Sequence, residues 1–280
     1  MHTGCRKIMV QGTMSSVGKS FLTAGLCRLL TDEGYRVAPF KSQNMSRFSC
    51  RLSDGKKIST AQALQATACR KDPDVRMNPI LLRPLSDTGS EVILNGEISG
   101  QYSAAEYFKL KRELVPTILS SYESLAQEND FLIIEGAGSP AEINLRSHDI
   151  VNMGLAELLD SKVILVGDID RGGVFAQLVG TLILLTADER ARVLGTVINK
   201  FRGDKSLLDP GILQLEEHTK VPNLGVIPWM SLNLPEEDSQ DAALYPRVGA
   251  SNWADVDLDL DRMATTLRQQ LDWQYILENI

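Results

Sequence analysis

The sequence predicts an α/β fold built on a mostly parallel, doubly wound sheet. Three observations lead there. Short strand-like runs at residues 8–10, 36–41, 131–134, 163–166, 193–198 and 224–227 alternate with stretches of helical spacing, the rhythm of βαβ units. A turn rich in glycine and serine, running from Gly12 to Ser20, joins the first run to a segment with Leu22, Leu26, Leu29 and Leu30 on one helical face. Polar residues, among them Lys41, Glu135 and Asn199, stand at or just past the carboxyl ends of runs, where open α/β sheets bind ligands.

The first run, Ile8-Met9-Val10, is short enough for a buried strand. The turn after it ends in Gly18-Lys19-Ser20, and strand, glycine loop and helix together are the context of a phosphate-binding loop. Backbone N–H groups of such a loop and the positive end of its helix face an anion. Lys19 is then expected to reach the β- and γ-phosphates of a nucleoside triphosphate, with Ser20 on Mg²⁺. The spacing from Gly12 to Gly18 is one residue longer than the common G-x-x-x-x-G-K-[ST] pattern.

Residues 36–41 read as a second strand ending at Lys41 and a polar turn, Ser42-Gln43-Asn44-Met45. Residues 47–57 are basic and punctuated by glycine, which predicts a mobile loop. Residues 60–70 are rich in alanine and predict a helix. Pro73, Pro79 and Pro84 exclude a long helix from residues 72–100. A strand at residues 91–94 closes on Asn95-Gly96, and Arg76, Arg83, Asp87, Thr88 and Ser90 form a polar set there. Residues 103–129 predict a helix bent or restarted near Pro116.

The apolar run at 131–134 ends in Glu135-Gly136-Ala137-Gly138. A carboxylate at the end of a buried strand is costly unless paired or bound to metal. A short helix is expected at 151–159, and the run at 163–166 leads into Gly167-Asp168-Ile169-Asp170-Arg171-Gly172-Gly173, an active-site rim or an Asp–Arg surface pair. Residues 174–185 are apolar almost all round, which predicts a buried helix. After the run at 193–198 come Asn199 and Lys200, a short helix at 211–218, and the run at 224–227 followed by Pro228-Trp229. Residues 235–253 are acidic. Asp255, Asp257, Asp259 and Asp261 then alternate with apolar residues without the glycine and glutamate of a calcium loop, predicting a solvated strand or a helix N-terminus. Met263, Leu267, Leu271 and Tyr275 predict one face of a closing helix.

With 280 residues, 43% hydrophobic and 23% charged, the composition is that of a globular protein. The net charge of -7 disfavours nucleic acid and membrane surfaces as partners. Cys5, Cys27, Cys50 and Cys69 contain no C-x-x-C pair, and His2, His148 and His218 are scattered. Neither a zinc site nor a disulfide framework is expected, and a reduced cytoplasmic protein is the default. Cys27 is expected in the core.

Several segments together resemble the cobyric acid synthase family. They are the phosphate loop, PFKSQNM at 39–45, MNPILL at 77–82, SDTGS at 86–90, EGAGSPAEINLR at 135–146, DIVNMG at 149–154, VGDIDRGGVFA at 166–176, VINKFRGD at 197–204 and LPEEDS at 234–239. The longer loop, the EGAG segment and the Ile-Pro-Trp strand end are similar to dethiobiotin synthetase. The resemblance implies a P-loop NTPase of the dethiobiotin synthetase type that uses ATP and Mg²⁺ to amidate corrin side-chain carboxylates through an acyl phosphate, turning adenosylcobyrinic acid a,c-diamide into cobyric acid.

The resemblance also implies roles. Gly12, Thr13, Ser16, Val17, Gly18, Lys19 and Ser20 cradle the phosphates. Lys19 and Lys41 neutralise the transferring phosphoryl group, while Ser20 and Glu135 hold Mg²⁺. Asn199 and Pro228 meet the adenine. Arg146 and Arg171 clamp substrate carboxylates, Gln43, Asn44, Ser90 and Asn144 offer neutral hydrogen bonds, and Asp170 orients ammonia or takes its proton.

Residues 1–240 are expected to form the synthetase domain, and residues 241–280 an acidic segment and closing helix of the same domain. The family's C-terminal glutaminase is expected to be absent, since no cysteine follows Cys69 and no histidine follows His218. Ammonia would then come from a separate glutaminase subunit or from free ammonium. A homodimer is implied by the resemblance alone. The rival expectations are a ligase for another tetrapyrrole or small carboxylic acid, and a non-catalytic nucleotide-dependent assembly ATPase.

Overall fold

A computed structural model describes residues 4–85, 89–232, 234 and 253–280. The apolar runs become six parallel strands, lying side by side in the order Asn223–Pro228, Val193–Phe201, Lys162–Asp168, Arg6–Gly12, Phe131–Glu135 and Val37–Phe40. In chain order, β1 is Arg6–Gly12 and is followed by helix α1 at Lys19–Asp32, then β2 at Val37–Phe40. After an excursion described below come β9 at Phe131–Glu135, α5 at Met153–Leu158 and β10 at Lys162–Asp168. Then follow α6 at Val174–Leu184, α7 at Ala187–Ala191, β11 at Val193–Phe201, α8 at Asp209–Thr219 and β12 at Asn223–Pro228.

Alternation of side chains along each strand splits the core into two layers. Ile8, Val10 and Ile133 face a layer with Leu22, Leu26 and Leu29 of α1. Met9, Leu132 and Ile134 face the other, with Leu155 of α5, Leu178 of α6 and Leu215 of α8. Because α1 and α6 cover opposite faces, the turns after β1 and β10 diverge, and a crevice opens at the carboxyl ends of adjacent strands.

The excursion between β2 and β9 builds a second sheet. Strand β3 (Gln43–Met45) pairs in parallel with β6 (Ile80–Pro84), and β6, β7 (Gly89–Leu94) and β8 (Glu97–Ser103) form an antiparallel run. The expected polar turn at 42–45 is therefore a strand. The expected loop at 47–57 holds a two-stranded hairpin, β4 (Ser49–Arg51) with β5 (Lys57–Ser59). Strands of three residues, as β3, β4 and β5 are, are too short to show in local periodicity, and β3 pairs with a partner far along the chain. Helix α2 (Thr60–Ala68) is capped by the Ser59 side chain, which accepts from the Gln62 N–H. Helix α3 (Ala104–Leu110) opens with a capping box between Ser103 and Glu106. A 3₁₀ turn then leads to α4 (Val115–Glu128), with Pro116 in its first turn.

Helix α6 departs from expectation. Val174, Leu178 and Leu182 are buried, but Ile183 and Leu184 are 64% and 46% exposed. Its apolar composition covers one packed face and one open face. The aspartate series becomes the start of α9 (Trp253–Gln270), and the closing helix is in fact two, with α10 at Trp273–Glu278. Met263, Leu267 and Leu271 are buried, whereas Tyr275 lies on α10 and is partly exposed. Between the two helices Asp272 donates its N–H to the Leu224 carbonyl at 2.7 Å. Gly225 permits that approach, because a Cβ there would stand 2.2 Å from the Gln270 carbonyl oxygen.

Arg28 of α1 is fully buried and pairs with Asp257 and, at 3.6 Å, with Asp261 of α9. All four cysteines are free thiols. Cys27 lies in the core as expected, and burial, reinforced by the neighbouring Cys69, pushes its thiol well above the ordinary range. No helix among the described residues is long and apolar enough to cross a membrane. The acidic stretch at 235–252 and residues 86–88, with Asp87 and Thr88, lie outside the described residues.

Leu267 is fully buried against the α1 layer. Leu267→Ala should destabilise the protein by about 2–5 kcal/mol through lost burial and a residual cavity. Urea unfolding followed by tryptophan fluorescence and by far-UV circular dichroism should show the same lowered midpoint. Two separate transitions would mean that the C-terminal helices do not fold with the sheet.

Candidate active site

The turn after β1 wraps a small volume at the head of α1. Gly18 caps α1 in the left-handed region at φ 98°, and a Cβ there would meet Asn199 Nδ2 at 2.4 Å. Only glycine fits that combination of dihedral and contact. Val17 is fully buried, and Thr13 donates its N–H to the Val166 carbonyl at 2.9 Å, so the loop is held at both ends. The Thr13 hydroxyl meets Gln177 Oε1 at 3.1 Å. Lys19 turns back over the loop and donates to the carbonyls of Met14 and Gly138, each at 3.1 Å.

Glu135 is the centre of the cluster. Its carboxylate ends β9 and is buried. Oε1 accepts from the Ser20 hydroxyl at 2.8 Å and from the Lys41 ammonium at 2.8 Å, and Oε2 accepts from Gln65 Nε2 at 2.5 Å. The side chains of Lys41 and Glu135 are 4% and 0% exposed. A buried carboxylate is tolerable only with this degree of compensation. Sequence periodicity offered no signal for Gln65, which α2 delivers from the excursion.

Lys19, Ser20, Lys41, Asn44, Arg171 and Lys200 are among the residues lining a cleft of about 410 Å³. Four of these are cationic, so the cleft suits a polyanion in a chain whose overall charge is negative. Ser20 and Glu135 supply hard oxygen donors side by side. That set fits Mg²⁺, which takes one or two protein oxygens together with phosphates.

The other candidates fall into two groups. Near the cleft, Asn44 donates to Gln62 at 3.1 Å, and Gln43 accepts from the Tyr107 hydroxyl at 2.6 Å. Burial pushes that Tyr107 hydroxyl upward, so it stays a donor. Asn199 directs its amide to the Val17 carbonyl at 2.8 Å, which makes it part of the loop's support. Pro228 ends β12 beside Phe201.

Further out, Arg146 pairs with Glu189 at 3.3 Å and donates to the Leu184 carbonyl at 2.7 Å. Asn144 is exposed in a 3₁₀ turn at Ile143–His148. Ser90 sits within β7 opposite Pro84. Arg76 is engaged by Asp74 and Glu128, and Arg83 by Glu91. Asp170 pairs with Arg202 at 3.3 Å on the surface. Its neighbour Asp168, in the same predicted rim, is 1% exposed and pairs with Lys200 at 2.8 Å.

Residues 8–240 match the family described as CobQ/CobB/MinD/ParA nucleotide binding domain. The chain is 52% identical over 262 residues to the cobyric acid synthase of Clostridium kluyveri, covering 90% of this chain and 52% of that protein. It is 56% identical over 234 residues to the cobyric acid synthase of Ruminiclostridium cellulolyticum, covering 84% of this chain and 46% of that one. The corresponding protein of Listeria monocytogenes serotype 4b is 55% identical over 234 residues, with 84% and 46% covered. The chain therefore spans about half the length of these curated relatives.

Removing one partner of the buried Lys41–Glu135 pair should weaken the compensation of the other charge. Lys41→Met and Glu135→Gln should each lose about 3–5 kcal/mol of stability, and the double variant should lose much less than their sum. A double-mutant cycle from urea denaturation measures this. Additive losses would show that the two charges are not coupled.

Proposed function

Because this chain belongs to the CobQ/CobB/MinD/ParA nucleotide binding domain family, we propose that it carries the ATP-dependent step of corrinoid amidation. The substrate carboxylates are those of adenosylcobyrinic acid a,c-diamide, and the product is cobyric acid. The observation that carries the reading is the meeting of Lys19, Lys41 and the buried Glu135 at the phosphate loop, in a chain whose curated relatives are cobyric acid synthases.

In this reading the loop from Gly12 to Ser20, through Thr13, Ser16, Val17 and Gly18, cradles the phosphates of ATP on its N–H groups. Lys19 exchanges its bonds to the Met14 and Gly138 carbonyls for phosphate oxygens. Lys41 neutralises charge on the transferring phosphoryl group as a substrate carboxylate oxygen attacks the γ-phosphorus and ADP leaves. Ammonia then attacks the acyl carbon of the acyl phosphate, and phosphate departs. Ser20 and Glu135 would hold Mg²⁺, which would supply positive charge to offset that of the phosphates. Ser20 and Lys41 share Glu135 Oε1, so the carboxylate orients both groups before ligand arrives.

Arg171, on the rim of the cleft, is suited to a substrate carboxylate. Gln43 and Asn44 supply neutral hydrogen bonds close by. Arg146, Asn144 and Ser90 lie outside the residues lining the cleft, so a role for them requires a large substrate or movement of their segments. Asp170, paired with Arg202, serves ammonia only if that surface pair opens. Asn199 and Pro228 border the adenine side, with Asn199 acting first as a support of the loop. A separate glutaminase subunit as ammonia source and a homodimer remain part of the proposal.

Purified chain with ATP, Mg²⁺, ammonium and the a,c-diamide should yield products heavier by successive amide increments in mass spectrometry. With this chain as the sole protein, glutamine should not replace ammonium. Lys19→Ala should lower turnover by about 100- to 1000-fold. Absence of amide product from the wild-type chain, or full activity of Lys19→Ala, would overturn the reading.

A further inference from the structure

A loop that presents its N–H groups to an anion must turn its carbonyls elsewhere, and each carbonyl then needs a partner. Two such carbonyls belong to Ser16 and Val17. Both are taken by consecutive residues at the end of β11. Asn199 Nδ2 donates to the Val17 carbonyl at 2.8 Å, and the Lys200 ammonium donates to the Ser16 carbonyl at 2.7 Å. The same ammonium donates to Asp168 Oδ2 at 2.8 Å.

Asp168 has the character of an anchor. It is 1% exposed at the end of β10, and its other oxygen accepts the Asp170 N–H at 2.9 Å. Arg171 Nε stands 4.0 Å from Oδ2. The backbone is distorted at both ends of the Lys200–Ser16 bond, with Ser16 at φ 60° and Lys200 at φ 62°. Neither residue is glycine, and left-handed residues of this kind persist only where surrounding structure holds them. A surface ion pair would not call for two such positions facing each other.

We propose that Lys200 is a positioning residue of the nucleotide loop. Fixed by buried Asp168, it draws the Ser16 carbonyl out of the cleft, so that the N–H groups after it face the phosphates. This rests on nucleotide binding at the loop, and not on which carboxylate is amidated. Lys200 also lines the cleft, so its charge adds to the field of Lys19 there.

The alternative is an ion pair that only stabilises the fold, and the two roles separate in a variant series. Lys200→Met, Lys200→Arg and the double variant Asp168→Asn/Lys200→Met are titrated with a fluorescent ATP analogue, and their melting temperatures are recorded. Lys200→Met should bind the analogue at least tenfold more weakly, and Lys200→Arg should recover part of the loss by keeping a cation on Asp168. The double variant leaves no buried charge unpaired, so its melting temperature should return toward wild type while its affinity stays low. In turnover the loss should appear in KM for ATP more than in kcat. Wild-type affinity in Lys200→Met or in the double variant overturns the proposal. Failure of the amidation reading looks different: the wild-type chain would bind the analogue yet form no amide.

Discussion

The interaction on which the site depends is the buried contact of Lys41 with Glu135. Each charge would be costly alone at its depth, and Ser20 and Gln65 add to their compensation by completing the carboxylate's hydrogen bonds. Four segments are thereby held at one point: the end of β2, the end of β9, the first turn of α1 and the middle of α2. The excursion between β2 and β9 cannot drift from the phosphate loop without exposing or stranding a charge. A rigid constellation of cations is what charge neutralisation at a phosphoryl group requires, since its groups need no rearrangement at the moment of reaction.

The same logic recurs around the loop. Its carbonyls are claimed from β11, and its helix is packed by α9, with buried Arg28 reaching acidic residues on that helix. The acidic run that opens α9 thus lies where it faces a cation rather than water alone. The C-terminal helices return the chain to the sheet at Leu224 and Gly225. The layer that supports the loop from behind is therefore assembled from both ends of the described sequence.

Much of this was legible beforehand for a simple reason. Strands buried on both faces are continuous apolar runs, and a phosphate loop is a local motif whose parts are neighbours in the chain. All six sheet strands were therefore evident. Strands β3, β4, β5, β6 and β8 were not: β3, β4 and β5 are three residues each, β3 and β6 meet across a wide separation, Gln43 opposite Ile80, and β8 carries polar and glycine residues in place of an apolar run. Helix α6 misled because its composition is apolar on both sides, and composition cannot say which side finds a neighbour. Arg76 and Arg83 read in the sequence only as members of a polar set; that Asp74, Glu128 and Glu91 engage them is a matter of tertiary placement.

The phosphate loop itself shows where the boundary falls. Sequence alone determined that Lys19 and Ser20 lead a helix after a buried strand, and that Glu135 ends another such strand. Those facts follow from local spacing. Only the tertiary structure decided that Gln65 shares the Glu135 carboxylate, that Asp168 and not Asp170 is the buried acid, and that Lys200 reaches Ser16. Adjacent residues on a strand end point in different directions, and which one meets a partner depends on the register of strands far apart in the chain.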